Sequence, residues 1–259
     1  MLLKKLGCEV LNSIRHEKIC NMVNERGAIR IKDLTKAFPD VTPMTIYRDL
    51  AYLEEIGAII RVRGGAMSPN STTELKYEVR EFSNSALKGK IAEKAVKLIK
   101  AKSSVFLDAG TTVTALAKLI PDMELSVFTT APNIAIKLAD LNNPSVEICG
   151  GKLNKMNLAL SGSRTVRDLE NINIDTAFIG VAGYSTESGF TCGVEGESLV
   201  KQVILKKARV RVALMDSSKL SVVLPYTFAH IEDFTHIVSD GNLPEDVVKL
   251  IEEKNVILI

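Results

Sequence analysis

Two groups of residues in this chain have the types and spacing to do chemistry. The first lies between Thr42 and Arg63, where Thr42, Pro43, Met44, Thr45, Tyr47 and Arg48 fall within one short segment and Arg61 and Arg63 follow. Guanidinium groups meet nucleic-acid phosphates as cations and guanine edges as bidentate donors, so this segment has the makings of a duplex reader. The second group is spread over Asp108-Ala-Gly110-Thr111-Thr112, Thr129-Thr130, Gly150-Gly151-Lys152, Gly180 to Gly183 and Asp216-Ser-Ser-Lys219. Glycine turns with outward N–H groups, hydroxyls and ammonium groups suit an anion, phosphate above all. Each of these also reads singly as an ordinary turn, and Thr111 or Thr112 as a simple helix cap. What separates the two readings is whether the elements of the chain gather them.

For the first group they do. Thr42 predicts an N-cap and Pro43 a first-turn proline, after which Ile46, Leu50, Leu53 and Ile56 recur at helical spacing up to Gly57. That stripe faces a core and leaves Met44, Tyr47, Arg48 and Tyr52 largely off it. Upstream, Ile14, Ile19, Met22 and Val23 mark a helix ending near Gly27, and Ile31, Leu34, Ala37 and Phe38 mark a second one. Pro39-Asp40-Val41 then gives a turn of helix-turn-helix length. Two small strands, 58–61 and 62–66, would carry Arg61 and Arg63 towards phosphates, which completes a winged-helix layout.

Beyond residue 88, apolar runs at 104–107, 125–129, 146–149, 176–180, 210–215, 235–238 and 256–259 alternate with helix-period stretches at 113–120, 133–141, 199–206 and 245–252. Continuous buried runs separated by helices predict a mainly parallel sheet covered on both faces, a Rossmann-like α/β architecture. Ligands of such sheets bind beyond the carboxyl ends of the strands, where the second group falls. Asp108 is then placed to fix its loop or to accept from a sugar hydroxyl. The polar stretch 67–74, MSPNSTTE, reads as a connector. The expected division is a winged helix-turn-helix domain over 1–70, a linker over 71–87 and an α/β domain over 88–259.

Composition excludes several classes. Mean hydropathy is +0.13 with 25% charged residues, and no apolar run approaches the roughly 20 residues of a membrane span, so no membrane partner and a cytoplasmic setting are expected. Residues 1–70 hold eleven Lys/Arg against eight Asp/Glu, +3, and residues 71–259 hold twenty-two against twenty-three, −1, giving the net +2. So mild an excess makes nonspecific DNA affinity weak per subunit and predicts a homo-oligomer, a dimer or tetramer reading repeated half-sites. Cys8, Cys20, Cys149 and Cys192 form no CxxC pair and read as reduced thiols, while His16, His230 and His236 have no metal spacing. No metal site and no cofactor is expected.

The run TIYRDL followed by LEEIGAIIRVRGGA resembles the DNA-binding domain of DeoR-type transcriptional regulators, with Arg15, Ile19 and Asp33-Leu34 matching its earlier helices. Tyr47 stands where the family usually has arginine, Arg63 where it usually has histidine, and the turn before Thr42 departs in length by one residue. Lys88-x-x-Ile91-Ala92, Asp108 to Thr112, Gly150-Gly151, Asp175-x-Ala-Phe-Ile-Gly180, Gly183 and Asp216-x-Ser-Lys219 are similar to the family's sensor domain, with Thr130 where asparagine is common. That domain shares its fold with ribose-5-phosphate isomerases and glucosamine-6-phosphate deaminases. The resemblance implies a repressor of sugar-metabolism genes whose partners are a double-stranded DNA operator and a phosphorylated sugar or related metabolite. Lys88, Asp216 and Lys219 would be its response residues. The alternative is an isomerase- or deaminase-like enzyme with an appended winged helix. Asp175, Glu195, Glu197 and Asp216 are carboxylates of the right type, yet no stretch matches the catalytic segments of those enzymes, so no catalytic residue and no enzymatic activity is expected.

Overall fold

The computed structural model describes residues 14–24, 28–56, 58–62, 64–68 and 77–259, and the chain divides into two compact units, Met1–Ser85 and Ala86–Ile259. Gly27, Gly57, Arg63, Cys8 and most of the 67–74 connector lie outside the described residues.

In the first unit, α1 (residues 14–24), α2 (Ile31–Ala37) and α3 (Pro43–Glu55) bury one stripe each, contributing Ile19 and Val23, Leu34, and Ile46, Leu50 and Leu53 to a single core. Thr42 caps α3 as its sequence predicts, its hydroxyl accepting from the Thr45 N–H at 3.3 Å. The wing strands are β2 (Ile60–Val62) and β3 (Gly65–Met67), displaced towards the C-terminus from the predicted 58–61 and 62–66. A further strand, β1 (Ala28–Arg30), adds to β3 to make the order β1-β3-β2. The displacement follows from Gly64, whose φ of +84° turns the hairpin there, and from Gly65, where a side-chain Cβ would lie 2.0 Å from the Ile29 carbonyl oxygen. The stretch 71–87, expected as a linker, is helical from Tyr77 to Phe82 (α4) and again from Ser85, where α5 (Ser85–Ala95) begins. Tyr77 is buried, which a free connector would not require.

The second unit is built on a seven-stranded, wholly parallel sheet. Its strands are β4 (Ser103–Leu107), β5 (Leu125–Thr129), β6 (Pro144–Ile148), β9 (Ile174–Gly180), β12 (Ala208–Met215), β14 (His236–Ser239) and β15 (Ile257–Leu258), in the order β15-β14-β12-β9-β4-β5-β6. Every predicted apolar run is one of these strands. Strand alternation sorts the side chains: Val105, Leu107, Phe178, Val212, Leu214 and Val238 join α5, α6 (Thr111–Ala117) and α7 (Pro132–Leu138) on one face. Phe106, Ala177, Ile179, Ala213, Met215 and Ile237 join α8 (Ser163–Glu170), α9 (Glu195–Lys207) and α10 (Glu245–Glu253) on the other.

Smaller pieces interrupt the alternation. A hairpin of β7 (Lys152–Asn154) and β8 (Ala159–Ser161) follows β6, and β10 (Gly183–Ser185), β11 (Gly189–Cys192) and β13 (Tyr226–Ala229) form a separate antiparallel sheet around Phe190, which packs on Tyr184, Phe228 and Phe234. At the sheet rim, the Cys149 N–H donates to the Thr129 carbonyl, so alternate amides of β6 face β5 and those of residues 146 and 148 face away. Pro144, with no N–H, takes the third outward position.

Asp49 ties α3 to α1 below the surface. It accepts from Arg15 Nε at 2.5 Å and Nη2 at 3.0 Å and pairs with His16 Nε2 at 2.9 Å, while His16 stacks on Tyr52 with ring centroids 4.8 Å apart. Burial pushes the Asp49 carboxyl up, but the bonds from His16 and Arg15 outweigh it and hold the group below its ordinary value. Asp49→Asn should therefore weaken the anchoring of α3 by about 2 kcal/mol at neutral pH, the worth of a charged hydrogen bond. Because the folded value is depressed, this contribution is complete above the ordinary carboxylate range and vanishes as pH falls through the folded value. Amide hydrogen exchange of α3 in both proteins checks this, and equal protection at neutral pH would refute it.

Candidate functional site

The exposed side of α3 is the one its buried stripe leaves over: Met44 is 62% exposed, and Tyr47 and Arg48 stand beside it in solvent. Thr42 and Pro43 are exposed and Thr45 half-buried at the same end of the helix. A short helix presenting an arginine and small polar groups at its N-terminal half is the form in which helix-turn-helix proteins meet a major groove. Arg61 is placed otherwise than as a free cation. Its Nε donates to Glu54 at 2.6 Å and its backbone N–H to the same carboxylate at 3.1 Å, so the first wing arginine is locally balanced by the recognition helix.

In the second unit the chain runs outward from β4 to β6 and then returns to build β9, β12, β14 and β15 on the other side, so the strand order reverses between β4 and β9. The carboxyl ends of these two strands flank the crevice where open parallel sheets bind ligands. Asp108, just past β4, sits in that position, buried, with its backbone N–H on the Phe178 carbonyl at 3.1 Å and its Oδ2 accepting from the Gly180 N–H at 3.0 Å. The same oxygen receives the ammonium of Lys201, which also donates to the Gly180 carbonyl at 3.0 Å and lies 5.2 Å from the Phe228 ring centroid. Burial alone would push the Lys201 ammonium down, yet the Asp108 carboxylate, together with Cys192 and Glu197, more than offsets this and its net shift is upward. Asp108 therefore fixes the loop, the first of its two expected roles.

Lys201 is the residue that sequence reasoning missed, and Glu197 on the same helix, a candidate carboxylate by type, has a packing role that its sequence position did not reveal. Both are buried on α9, and Glu197 accepts from Asn157 at 2.9 and 3.1 Å and from Asn154 at 3.2 Å, which fastens the β7–β8 hairpin to the helix. A signal was available. Glu197, Lys201 and Ile204 fall on one helical face, and a charge inside an apolar stripe must be either buried and paired or misplaced.

The remaining candidates separate by what their atoms already do. Gly110, Thr111 and Thr112 follow Asp108 at the crevice and open α6. Thr129 is at the same edge, but its hydroxyl donates to the Leu107 carbonyl at 2.6 Å and accepts from the Ala131 N–H, a structural duty. Thr130 is buried and takes the Leu160 N–H on its carbonyl, holding the hairpin. Gly150 accepts from the Thr165 hydroxyl at 2.5 Å, and a Cβ on Gly151 would lie 2.1 Å from that same hydroxyl, so these glycines seat α8 against the end of β6, while Lys152 is exposed. Gly180 lines the crevice, whereas Gly183 is crowded by Val222 and Thr191 inside the small sheet. Lys88 is buried on α5. Asp216, past β12, is 1% exposed; its Oδ1 accepts from the N–H and hydroxyl of Ser218, while its Oδ2 is buried without a hydrogen-bond partner. Lys219 lies three residues on, half-buried, in no ion pair among the described residues.

Among the described residues no group of three or more His, Cys, Asp or Glu can hold a metal ion. Burial pushes the Cys20 and Cys149 thiols up to about 12, which keeps them from acting as thiolates. No helix among the described residues is long and apolar enough to cross a membrane.

An outward-facing recognition helix with a wing, and a parallel sheet with a polar crevice at its reversal point, define a two-unit ligand-responsive DNA-binding regulator. The model of the DeoR-like helix-turn-helix domain matches residues 15–72, and that of the DeoR C terminal sensor domain residues 83–241. The chain is 33% identical over 243 residues to the uncharacterized HTH-type transcriptional regulator YulB of Bacillus subtilis, covering 93% of this chain and 94% of that one. It is 30% identical over 248 residues to the glycerol-3-phosphate regulon repressor of Haemophilus influenzae, covering 95% and 96%. The chain belongs to the DeoR family of transcriptional regulators, and it is a regulator rather than an enzyme. A solved ribose 5-phosphate isomerase from Methanocaldococcus jannaschii is similar over 53% of this chain and 55% of its own, at 20% identity and a TM-score of 0.39.

The buried pair gives a stability prediction. Lys201→Met leaves Asp108 charged and unpaired in the interior and should cost about 3–5 kcal/mol, while Asp108→Asn/Lys201→Met should recover most of it. Urea unfolding of the full chain measures both. A single variant as stable as the parent would show that the pair holds nothing together.

Proposed function

We propose that the chain is an oligomeric repressor of sugar-metabolism genes whose grip on its operator is controlled by a phosphorylated sugar, or a related metabolite, bound at the carboxyl edge of the parallel sheet. The observation that carries this reading is Asp216, a buried carboxylate with one oxygen lacking a donor, three residues before the half-buried ammonium of Lys219. A buried acceptor without a partner is costly, and a sugar hydroxyl is a donor of the right size to satisfy it. The Lys219 ammonium, three residues on, would supply the charge-assisted contact that a phosphate needs. Glycerol 3-phosphate, the metabolite in the name of the Haemophilus relative, has both groups. Gly110, Thr111 and Thr112 would close the site from the end of β4, with Gly180 on the intervening β9.

On the DNA side, Thr42, Pro43, Met44, Thr45, Tyr47 and Arg48 would face the groove and Arg61 and Arg63 the backbone. Arg48→Ala should weaken binding to the DNA flanking its own gene by at least about 1 kcal/mol in gel-shift titration, the low end for a base contact. A folded variant with parental affinity would remove Arg48 from the interface.

Lys219→Ala should bind the same DNA normally and fail to respond to the effector, with ligand affinity reduced by about 1.5–3 kcal/mol. Calorimetry of parent and variant against a panel of triose, pentose and hexose phosphates, repeated with operator present, tests this. Identical ligand affinity and identical operator response would displace Lys219 from the site.

A further inference from the structure

We propose that the groove between α8 and α9 is a two-fold docking face for a second copy of this chain. The inference rests on the oligomeric reading above and names the surface that would serve it. The groove measures about 430 Å³ and is lined centrally by Val166, Arg167 and Glu170 from α8 and by Leu199 from α9. Leu199 is 47% exposed although it stands on a helix whose other large apolar residues are covered or half-covered. Val166, Arg167 and Glu170 share one face of α8, since they stand three and four residues apart, while Thr165 and Leu169 are turned into the core.

This face is self-complementary. When α8 meets its own copy antiparallel with the two-fold axis set between residues 166 and 167, Val166 comes opposite the second copy's Arg167, whose guanidinium is then one helical turn from the first copy's Glu170. Symmetry makes the same pair again, so two ion pairs flank an apolar centre of Val166 and Leu199. Over its length α8 carries Arg164 and Arg167 against Asp168 and Glu170, a balance that suits a second copy rather than a partner of one charge sign.

A stable pair covers roughly 800 Å² on each partner, so the surroundings must contribute. They are apolar where α9 begins. Leu153 and Met156 are exposed on the β7–β8 hairpin, which Asn154 and Asn157 tie to Glu197, and Tyr226 is exposed on β13 next to Thr227, whose carbonyl accepts from Ser198 at 3.5 Å. Burial of such side chains is what drives association, with the charge pattern fixing its register.

Sedimentation equilibrium of the full chain tests the proposal through a charge exchange. Arg167→Glu places like charges against each other and should weaken self-association at least about tenfold, as should Leu199→Glu. Arg167→Glu/Glu170→Arg restores opposite charges and should return the parental value, which a general loss of folding would not do. An oligomer that neither single variant weakens would overturn this face and leave the oligomeric reading standing. A double variant as weak as Arg167→Glu would overturn the pairing. A parent that stays monomeric at micromolar concentration would overturn the oligomeric reading and this proposal together.

Discussion

The ion pair between Lys201 and Asp108 is the contact on which the second unit depends most. It is the point where three elements that are distant in sequence are made to agree: the turn after β4, the end of β9 and the body of α9. An ammonium and a carboxylate removed from water lose far more hydration than their attraction returns unless the remaining bonds are satisfied. Here they are. Gly180 supplies both its N–H and its carbonyl, so the pair cannot form unless β4 and β9 have the correct register, and the register cannot slip without leaving charges buried alone. A polar contact of this kind adds little net stability over an apolar one, but it rejects wrong arrangements.

Much of the architecture was legible because it follows from apolar periodicity. The seven strands of the parallel sheet are each an apolar run, and strand geometry then sets Phe106 on one face against Val105 and Leu107 on the other. What was hidden is the part that depends on long-range pairing. β1 is three residues with no alternation of its own, and it exists because β3 is there to receive it. The small sheet of β10, β11 and β13 spans more than forty residues of sequence and is held by the aromatic cluster on Phe190, which no local spacing announces. In the candidate site, residue types at strand ends pointed to the carboxyl edge of the sheet, where Asp108, Gly180 and Asp216 lie. Yet Thr129, Gly150, Gly151 and Gly183 have packing duties that are invisible until their neighbours are known. Lys201 was overlooked because a lysine in a helix is ordinarily solvated.

The first unit shows the same principle on a smaller scale. Some of its charged groups are paired with one another: Asp49 with Arg15 and His16, and Arg61 with Glu54. Arg48, by contrast, stands exposed beside Tyr47 and Met44 on the outward side of α3. Pairing Arg61 with Glu54 while Arg48 stays exposed leaves the outward side of α3 with the guanidinium best placed to meet a base edge.

The rims of the parallel sheet carry one more consequence. β15 is two residues long, and at the opposite rim β6 presents Pro144 where an amide would otherwise point outward, with the charged Glu147 nearby. β15 is too short to template a strand, and on β6 Pro144 interrupts the outward ladder so that only the amides of residues 146 and 148 remain in it. These blunt borders limit the route by which exposed β-structure seeds fibrils. A helical surface bonds its amides within the helix and presents side chains alone, so contact through it templates no further strand.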